Sequence, residues 1–385
     1  MKTPAKVDAS APAVVDPTAA TPVETAVAPT PSRAASPLRA RRSPAVAVPV
    51  DGCATQASHL LTIAARDGLA GHLEGPIALA FERDAMSVAL WTLDDPPVRR
   101  WERPLPAAIA RAVLLCTSRC TLGLVDTRAV LSVIGFDRAR ADAPRVLARG
   151  VDRRFAPALA PLGRDVLVAY TATRDETMHS WLTRASGAGS PRDLTPPAHG
   201  AASPTFVLGA PTPTLVMIDA RAGMSPLLEV ALDARGTPGE VSVRTPVSQP
   251  TAPPVVLATT LRGGEVEVFF TLIGRIAMTA VGRVSLRRAE AARPLLASTG
   301  YGALRMAAAT SGLRTLVALE VPTAPAPDAP RQLLLKLLDG LRTDDVLVLQ
   351  GERPSLAASA PDGSYVLTWS GADGLQADLL ACDPR

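Results

Sequence analysis

Residues 203–243 read SPTFVLGAPTPTLVMIDARAGMSPLLEVALDARGTPGEVSV and contain four short apolar runs separated by turn residues. Runs of four to eight residues that are rich in Val, Leu and Ile, and bounded by Gly, Pro, Asp and Ser, are typical of strands. The stretch therefore predicts four consecutive β-strands.

The four-run unit recurs along the chain. A repeat of 40–50 residues with four strands in each copy is typical of a β-propeller. Several first runs consist of small residues, as in MAAA at 306–309, which suits strands crowded around a central axis. The seven copies open at Pro76, Ala110, Pro157, Pro204, Pro254, Leu304 and Pro354, and the last four openings are 50 residues apart.

We therefore predict an all-β fold, a propeller of seven four-stranded blades. The first and last copies lack a clear fourth strand, and the run HLLTIAA (59–65) could supply one to the last blade. Such an N-terminal strand would close the ring and remove exposed edges. Six blades, a β-sandwich and two separate β domains remain alternatives, and RQLLLKLLDGL (331–341) also fits a helical period.

The first 52 residues form a segment of different composition. Residues 1–50 contain nine prolines, many alanines and no aromatic residue. Such a segment buries too little apolar surface to offset the entropy of ordering. We predict a disordered Pro/Ala-rich linker over 1–52, which either tethers the domain or has no function, and a propeller over 53–385.

The four cysteines allow three pairings. Cys382 ends the last blade and Cys53 precedes the strand expected beside it, so a Cys53–Cys382 disulfide would clasp the seam. Cys116 and Cys120 flank the short turn TSR and would face each other across a hairpin. A metal site at C-x₃-C lacks further ligands. Paired cysteines indicate an extracytoplasmic location, whereas the absence of a visible export signal keeps a cytoplasmic location open.

Two copies resemble a known type of repeat. GRDVLVAYTATRDETMHSWLTRASGAGSPRDLT (163–195) and PDGSYVLTWSGADG (361–374) each have a tight turn before the second strand and a charged turn after it. In these features they resemble the WD40-like propeller repeats of extracytoplasmic bacterial proteins, including the Tol-system periplasmic type, although the WD dipeptide is absent. The resemblance implies a propeller and an extracytoplasmic location, but no particular activity.

Composition and motifs exclude several function classes. The net charge is only +4 and aromatics make up 3% of the chain, which argues against nucleic-acid binding. No apolar stretch is long enough to span a membrane. No catalytic, phosphate-binding or calcium-binding motif occurs. The histidines are scattered, so we predict no catalytic residue, no cofactor and no metal.

The turns that follow second strands are rich in charged residues. In a propeller these turns share one face with the connections between blades, and loops on a rigid scaffold often bind ligands. They could attract a cation, a basic peptide or a sugar, although strand ends are polar in any case. The predicted ligand-binding residues are Asp95, Asp126, Asp175, Asp219, Arg221, Glu320 and Asp373.

The sequence thus favours a non-enzymatic scaffold that binds a protein or a glycan through this loop face, with possible tethering by the N-terminal tail. The alternative is a carbohydrate-active hydrolase or lyase with carboxylates at the channel mouth. A structural ring without a ligand is a third interpretation, because propellers host many functions.

Overall fold

The computed structural model describes residues 53–382, apart from 83, 85, 198, 208–211, 222–224, 248–255, 263–264, 274–278, 286–292, 299–304, 325, 327–328, 340–341 and 360–362. The predicted linker over 1–52 lies outside the described residues. Within the described part of the chain, 28 strands form seven four-stranded antiparallel sheets. The predicted all-β fold with seven blades is confirmed.

The described part of the chain begins with β1 (Cys53–Thr62), which belongs to the last blade, and the blades then follow in order. Blade 1 contains β2 (Ala65–His72), β3 (Pro76–Glu82), β4 (Ser87–Thr92) and β5 (Val98–Pro104); blade 2 contains β6 (Ile109–Cys116), β7 (Cys120–Asp126), β8 (Val130–Phe136) and β9 (Arg145–Arg149); blade 3 contains β10 (Ala158–Leu162), β11 (Asp165–Arg174), β12 (Thr177–Arg184) and β13 (Arg192–Asp193); blade 4 contains β14 (Ala202–Val207), β15 (Thr214–Ile218), β16 (Ser225–Leu232) and β17 (Pro238–Val247).

The remaining three blades follow the same plan, except that the last one recruits β1 as its fourth strand. Blade 5 contains β18 (Val256–Arg262), β19 (Glu265–Ile273), β20 (Thr279–Ser285) and β21 (Arg293–Ser298); blade 6 contains β22 (Met306–Ser311), β23 (Arg314–Pro322), β24 (Arg331–Asp339) and β25 (Arg342–Gln350); blade 7 contains β26 (Glu352–Ser359), β27 (Ser364–Gly371), β28 (Gly374–Cys382) and β1.

The first strands of the blades surround a common axis. Each one contacts the first strand of the next blade, from β2 through β6, β10, β14, β18, β22 and β26 and back to β2. Second strands are buried on both faces, as in β15, where all five residues are buried, because each blade packs between two neighbours. This arrangement explains why second strands are continuously apolar instead of alternating.

The predicted strand order of blade 1 is wrong. Pro76 opens the second strand of that blade, and the first strand is β2, ARDGLAGH. A Cβ on Gly68 would lie 2.8 Å from the side chain of Leu375. Glycine is required where β2 approaches its neighbour, so this strand lacks the apolar run that marks the others. The predicted run 59–65 spans the end of β1 and the first residue of β2.

The helical alternative for residues 331–341 is also wrong. Residues Arg331–Asp339 form β24, which pairs with β23 on one side and β25 on the other. Both neighbours supply hydrogen bonds to its backbone, and this tertiary pairing overrides the ambiguous local period.

The N-terminal strand β1 pairs antiparallel with β28, with Cys53 opposite Cys382. These two cysteines form a disulfide with Cα atoms 4.0 Å apart, and Cys116 and Cys120 form a second one across the β6–β7 hairpin. Both predicted disulfides are therefore present. Closure of the ring by β1 stays a prediction, which the pairing and the disulfide support.

Candidate active site on the upper face

Alternating strand directions give the propeller two faces. The turns between second and third strands and the connections between blades emerge on one face, which we name the upper face. The turns between first and second strands, and between third and fourth strands, emerge on the opposite, lower face. Both disulfides lie on the lower face, since β6, β28 and the start of β1 meet it.

Six of the seven predicted binding residues lie on the upper face. They are Asp126 at the end of β7, Asp175 between β11 and β12, Asp219 and Arg221 after β15, Glu320 in β23 and Asp373 between β27 and β28. Asp95 does not join them. It follows β4, the third strand of blade 1, and therefore lies on the lower face, because the first strand of this blade was misplaced by the sequence pattern.

The upper-face acids do not form one acidic patch, because arginines neutralise them locally. Asp126 accepts the amide N–H of Arg128 at 2.8 Å and lies 3.1 Å from the guanidinium of the same residue. Asp219 engages Arg221 in the same way, at 3.2 Å and 2.9 Å. In both cases the sequence Asp-x-Arg folds into a turn in which one aspartate binds the backbone and the side chain two residues on.

Asp219 also holds a histidine. Its Oδ2 lies 2.7 Å from Nδ1 of His199, and its Oδ1 accepts the amide N–H of Gly200 at 3.0 Å. The Asp219 side chain is only 4% exposed, whereas that of His199 is 26% exposed. Burial opposes ionisation here, but hydrogen bonds from Arg221, His199 and the backbone lower the pKa of Asp219 to about 2.

Sequence reasoning brought Asp219 and Arg221 together but missed His199. The histidine lies 20 residues before Asp219, in the connection between blades 3 and 4. Blade connections share the upper face with the turns after second strands. A search of those connections for a partner of each turn acid would therefore have found His199 from the predicted topology.

A second histidine pair lies on blade 3. Nδ1 of His179 is 2.8 Å from Oδ2 of Asp193, and the imidazole is 6.5 Å from the ring of Trp181. His179 is the third residue of β12, the third strand of blade 3, and its side chain is 21% exposed.

A charged cluster surrounds the axis at the upper mouth. The Arg353 guanidinium binds Oδ2 of Asp67 at 2.6 Å, and that of Arg305 lies 3.9 Å from Oδ1 of the same carboxylate. Arg111 belongs to the same group: partial desolvation and the nearby charge of Arg305 lower its pKa, and Asp67 opposes this effect. These residues come from blades 1, 2, 6 and 7, so they meet across the channel. We name Asp67, Arg111, Arg305 and Arg353 the mouth cluster.

Local backbone irregularities place these side chains. The pairing of first and second strands shifts register between Ala65 and Asp67, between Ile109 and Arg111, and after Glu352. Such β-bulges change the direction of side chains near functional sites. Arg353 has a positive φ of 59°, a conformation uncommon for residues with a Cβ.

Glu320 lies beside the mouth cluster. Its two carboxylate oxygens bind the Arg331 guanidinium at 3.1 Å and the Arg353 amide N–H at 2.7 Å. The residue is 3% exposed, and burial raises its pKa although both partners oppose the shift. Glu320 therefore holds the backbone of Arg353 in place, and both of its carboxylate oxygens are occupied.

A chain of contacts connects the mouth cluster to the loop that carries His199. Nε of Arg111 donates to the carbonyl of Arg154 at 3.1 Å, and the Arg154 guanidinium lies 3.9 Å from the sulfur of Met178. The carbonyl of Met178 accepts the amide N–H of Ala201 at 2.8 Å. The mouth cluster and the loop that carries His199 are thus connected by a continuous series of contacts on the upper face.

No three His, Cys, Asp or Glu residues are grouped to hold a metal ion in the described residues. Among the same residues, no helix is long and apolar enough to cross a membrane.

Comparisons with known proteins support the fold. No family model matches the chain, and no curated protein matches it. Its structure is similar to virginiamycin B lyase from Staphylococcus aureus in a catalytically inactive His-to-Ala form with quinupristin (TM-score 0.52, 12% identity, covering 85% of this chain and 98% of that one). A selenomethionine form of that lyase has a TM-score of 0.51 and 11% identity, and the match covers 86% of this chain and 100% of that one. A triple Arg-to-Ala mutant of AofleA from Arthrobotrys oligospora has a TM-score of 0.50 and 11% identity, and the match covers 78% of this chain and 90% of that one.

These findings correct the predicted function. The interpretation of the chain as a non-enzymatic scaffold is wrong, because the solved structures that share its fold over most of its length include a lyase. The enzymatic alternative, a hydrolase or lyase, is the better supported of the two. The chain is a β-propeller.

Proposed function

We propose that the protein is a carbohydrate-active lyase in which His199 is the general base. The observation that carries the proposal is the buried Asp219 carboxylate, 2.7 Å from Nδ1 of a partly exposed histidine on the upper face. A histidine with a positioned carboxylate partner is a common arrangement for proton abstraction.

The pair orients the imidazole. Nδ1 of His199 lies 2.7 Å from Oδ2 of Asp219 and 2.9 Å from Nη2 of Arg221. The low pKa of Asp219 keeps this carboxylate ionised. In the tautomer that serves a base, Nδ1 therefore carries the proton and donates it to Oδ2, while the Arg221 guanidinium, which can only donate, binds the same oxygen at 2.9 Å. Nε2 is then the acceptor, and it has no hydrogen-bond partner among the described residues. The same carboxylate stabilises the imidazolium that forms when Nε2 takes a proton.

The supported reaction is β-elimination. Nε2 of His199 takes the proton from the carbon next to a carbonyl or carboxylate group of the sugar. The electron pair of that C–H bond forms a carbon–carbon double bond, and the C–O bond to the next sugar breaks. The leaving oxygen takes a proton from the imidazolium, directly or through a water molecule, which restores the neutral base.

A lyase agrees with the upper face better than a hydrolase does. Glycoside hydrolysis needs two carboxyl groups about 5–9.5 Å apart, and one of them must hold a proton. In the part of the upper face that the structure describes, Asp126, Asp219 and Glu320 are each paired with an arginine. Glu320 has a raised pKa, but both of its oxygens are occupied.

The comparison adds support for a histidine base. The similar virginiamycin B lyase was solved as a catalytically inactive form with a single His-to-Ala change. We transfer from it only the type of catalytic group.

The first test is cleavage of glycans by the full-length protein. Elimination creates a conjugated double bond with ultraviolet absorbance, whereas hydrolysis yields new reducing ends without it. We expect both signals together, and we expect His199→Asn to lower the rate by about 10²–10⁴-fold. His179→Asn is the matched control, because it removes the other carboxylate-paired histidine and should leave the rate within a factor of two of wild type.

Two results would contradict the proposal. Reducing ends without the absorbance would show a hydrolase. Equal losses in His199→Asn and His179→Asn would show that the histidines act through the fold and not through chemistry.

We also propose an extracytoplasmic protein with a glycan ligand, a linker over 1–52 and WD40-like repeats. The support for the location is that all four cysteines are paired, as expected in an oxidising compartment. Non-reducing peptide mapping of protein from its native cells tests this location, and four free thiols would contradict it.

A further inference from the structure

We infer that the mouth cluster binds an oxyanion, and that the substrate of the proposed lyase is a carboxylated glycan whose uronate group it holds. This inference rests on the proposed function for the identity of the ligand. The anion site itself rests on the four residues Asp67, Arg111, Arg305 and Arg353.

The charges at the mouth do not balance. Glu320 is matched by Arg331 at 3.1 Å, and Glu352 lies 3.3 Å from Nε of Arg353. Arg353 and Arg305 also approach the carboxylate of Asp67, at 2.6 Å and 3.9 Å. When each group is counted once, the four guanidinium groups of Arg111, Arg305, Arg331 and Arg353 face the three carboxylates of Asp67, Glu320 and Glu352, so the mouth carries one excess positive charge.

Two of these arginines bring like charges to the same mouth: Arg111 is on blade 2 and Arg305 precedes the first strand of blade 6. Desolvation, and after it the charge of Arg305, lower the pKa of Arg111. Like charges held together destabilise the empty site. A bound anion reduces this repulsion, which makes the binding free energy more favourable.

The orientation of Arg111 suits the binding of a carboxylate. Arg111 is oriented by its own hydrogen bonds, from Nε to the carbonyl of Arg154 at 3.1 Å and from Nη1 to that of Ala110 at 2.9 Å. Planar guanidinium groups bind carboxylates through paired N–H donors, and a pre-oriented group loses little entropy on binding. All four residues stand on or beside the rigid inner strands, which suits precise recognition.

The chemistry of elimination explains why a carboxylate is the expected group. The proton next to a carboxylate is weakly acidic while that carboxylate is charged. Arginines that neutralise the carboxylate stabilise the negative charge that develops on it as the proton leaves. A uronate bound in the mouth cluster would therefore have the neutralised carboxylate that elimination needs.

The test is binding, measured by calorimetry on the full-length protein without reference to turnover. The probes are an oligosaccharide of hexuronic acid residues and its methyl ester, which has the same shape without the charge. We expect the acid to bind about tenfold more tightly than the ester. This preference should shrink when salt is raised, because screening weakens the attraction.

Arg111→Gln and Arg305→Gln should each abolish most of the preference for the acid. We expect the melting temperature of Arg305→Gln to stay the same or rise, since the variant removes a repelling charge. Arg145→Gln is the matched control, because this arginine joins blade 2 to the carbonyls of Ala185 and Ser186 away from the mouth. It should bind both probes as wild type does.

The outcomes separate the two proposals. Selective binding of the acid without cleavage would support the anion site and overturn the lyase. Equal binding of acid and ester, no binding of either, or a loss of preference in Arg145→Gln equal to that in Arg305→Gln would overturn the anion site, whether or not a glycan is cleaved.

Discussion

At the scale of single residues, the Asp-x-Arg turn is the recurrent device of the upper face. It occurs at Asp126, Asp152 and Asp219, and each aspartate accepts the amide N–H of an arginine two residues later. The sequence shows the acids and the arginines, so charged turns were predictable. Their mutual neutralisation was not, because it depends on side-chain directions that a strand pattern does not contain.

Asp219 gives a pH-dependent contribution to stability. Its pKa falls from 3.8 to about 2 on folding, so the folded state favours the ionised form. The resulting stabilisation is present above pH 4 and disappears as the pH falls through 2. It amounts to about 2 kcal/mol.

We therefore expect Asp219→Asn to lower the free energy of unfolding by about 2 kcal/mol at pH 7, and by much less near pH 2. Denaturant titrations at both pH values measure the difference. Asp175→Asn is the control, since this side chain is 90% exposed, and it should change little at either pH. A deficit of Asp219→Asn that is independent of pH would contradict the assignment.

At the scale of elements, six blades followed the sequence pattern and one did not. Blade 4 was readable because its four runs are apolar and separated by turn residues. The first strand of blade 1 was hidden because close packing demands Gly68 and Gly71 where other blades have larger residues. That single error also moved Asp95 to the wrong face. Both errors have one cause: the glycines of β2 are required by packing between blades, and this packing exists only in the assembled ring.

Gly68→Ala tests this explanation. The added Cβ would approach the Leu375 side chain to 2.8 Å and the Leu79 carbonyl to 2.9 Å. We expect a loss of about 1–3 kcal/mol in the free energy of unfolding, measured by denaturant titration. Gly239→Ala, on an exposed strand position with its nearest neighbour at 3.3 Å, should change it by less than about 0.5 kcal/mol. Equal effects would show that Gly68 is not required by packing.

At the scale of the whole molecule, the repeat predicted the fold but the mouth cluster was invisible. Asp67, Arg111, Arg305 and Arg353 are separated by up to 286 residues, and no local motif links them. They meet because seven first strands surround one axis. The upper-face location of Asp219 followed from the predicted topology, and the same topology places the blade connection that carries His199 on that face.

The seam gives a prediction at this scale. The Cys53–Cys382 disulfide spans 329 residues and the Cys116–Cys120 disulfide spans 4. Chain entropy therefore assigns up to about 6 kcal/mol to the first and about 2 kcal/mol to the second. We expect the double variant Cys53→Ser/Cys382→Ser to lose more than twice the unfolding free energy lost by Cys116→Ser/Cys120→Ser.

Denaturant titrations of the two double variants provide the comparison. Hydrogen exchange of residues in β1 and β28 adds a direct readout, since loss of the clasp should expose both strands first. Similar losses in the two variants, with β1 still protected, would argue against closure of the ring by this strand.

The juxtaposition of Cys53 and Cys382 has a consequence for how the gene can be rearranged. Because the described ends of the domain meet, a short peptide could join them, and the chain could be reopened elsewhere, for example in the exposed turn around Gly187 and Gly189. Circular permutation of this kind is tolerated at such loop tips. The order of the blades in the sequence then depends only on where the chain is opened, because any of the seven inner strands could come first in the ring.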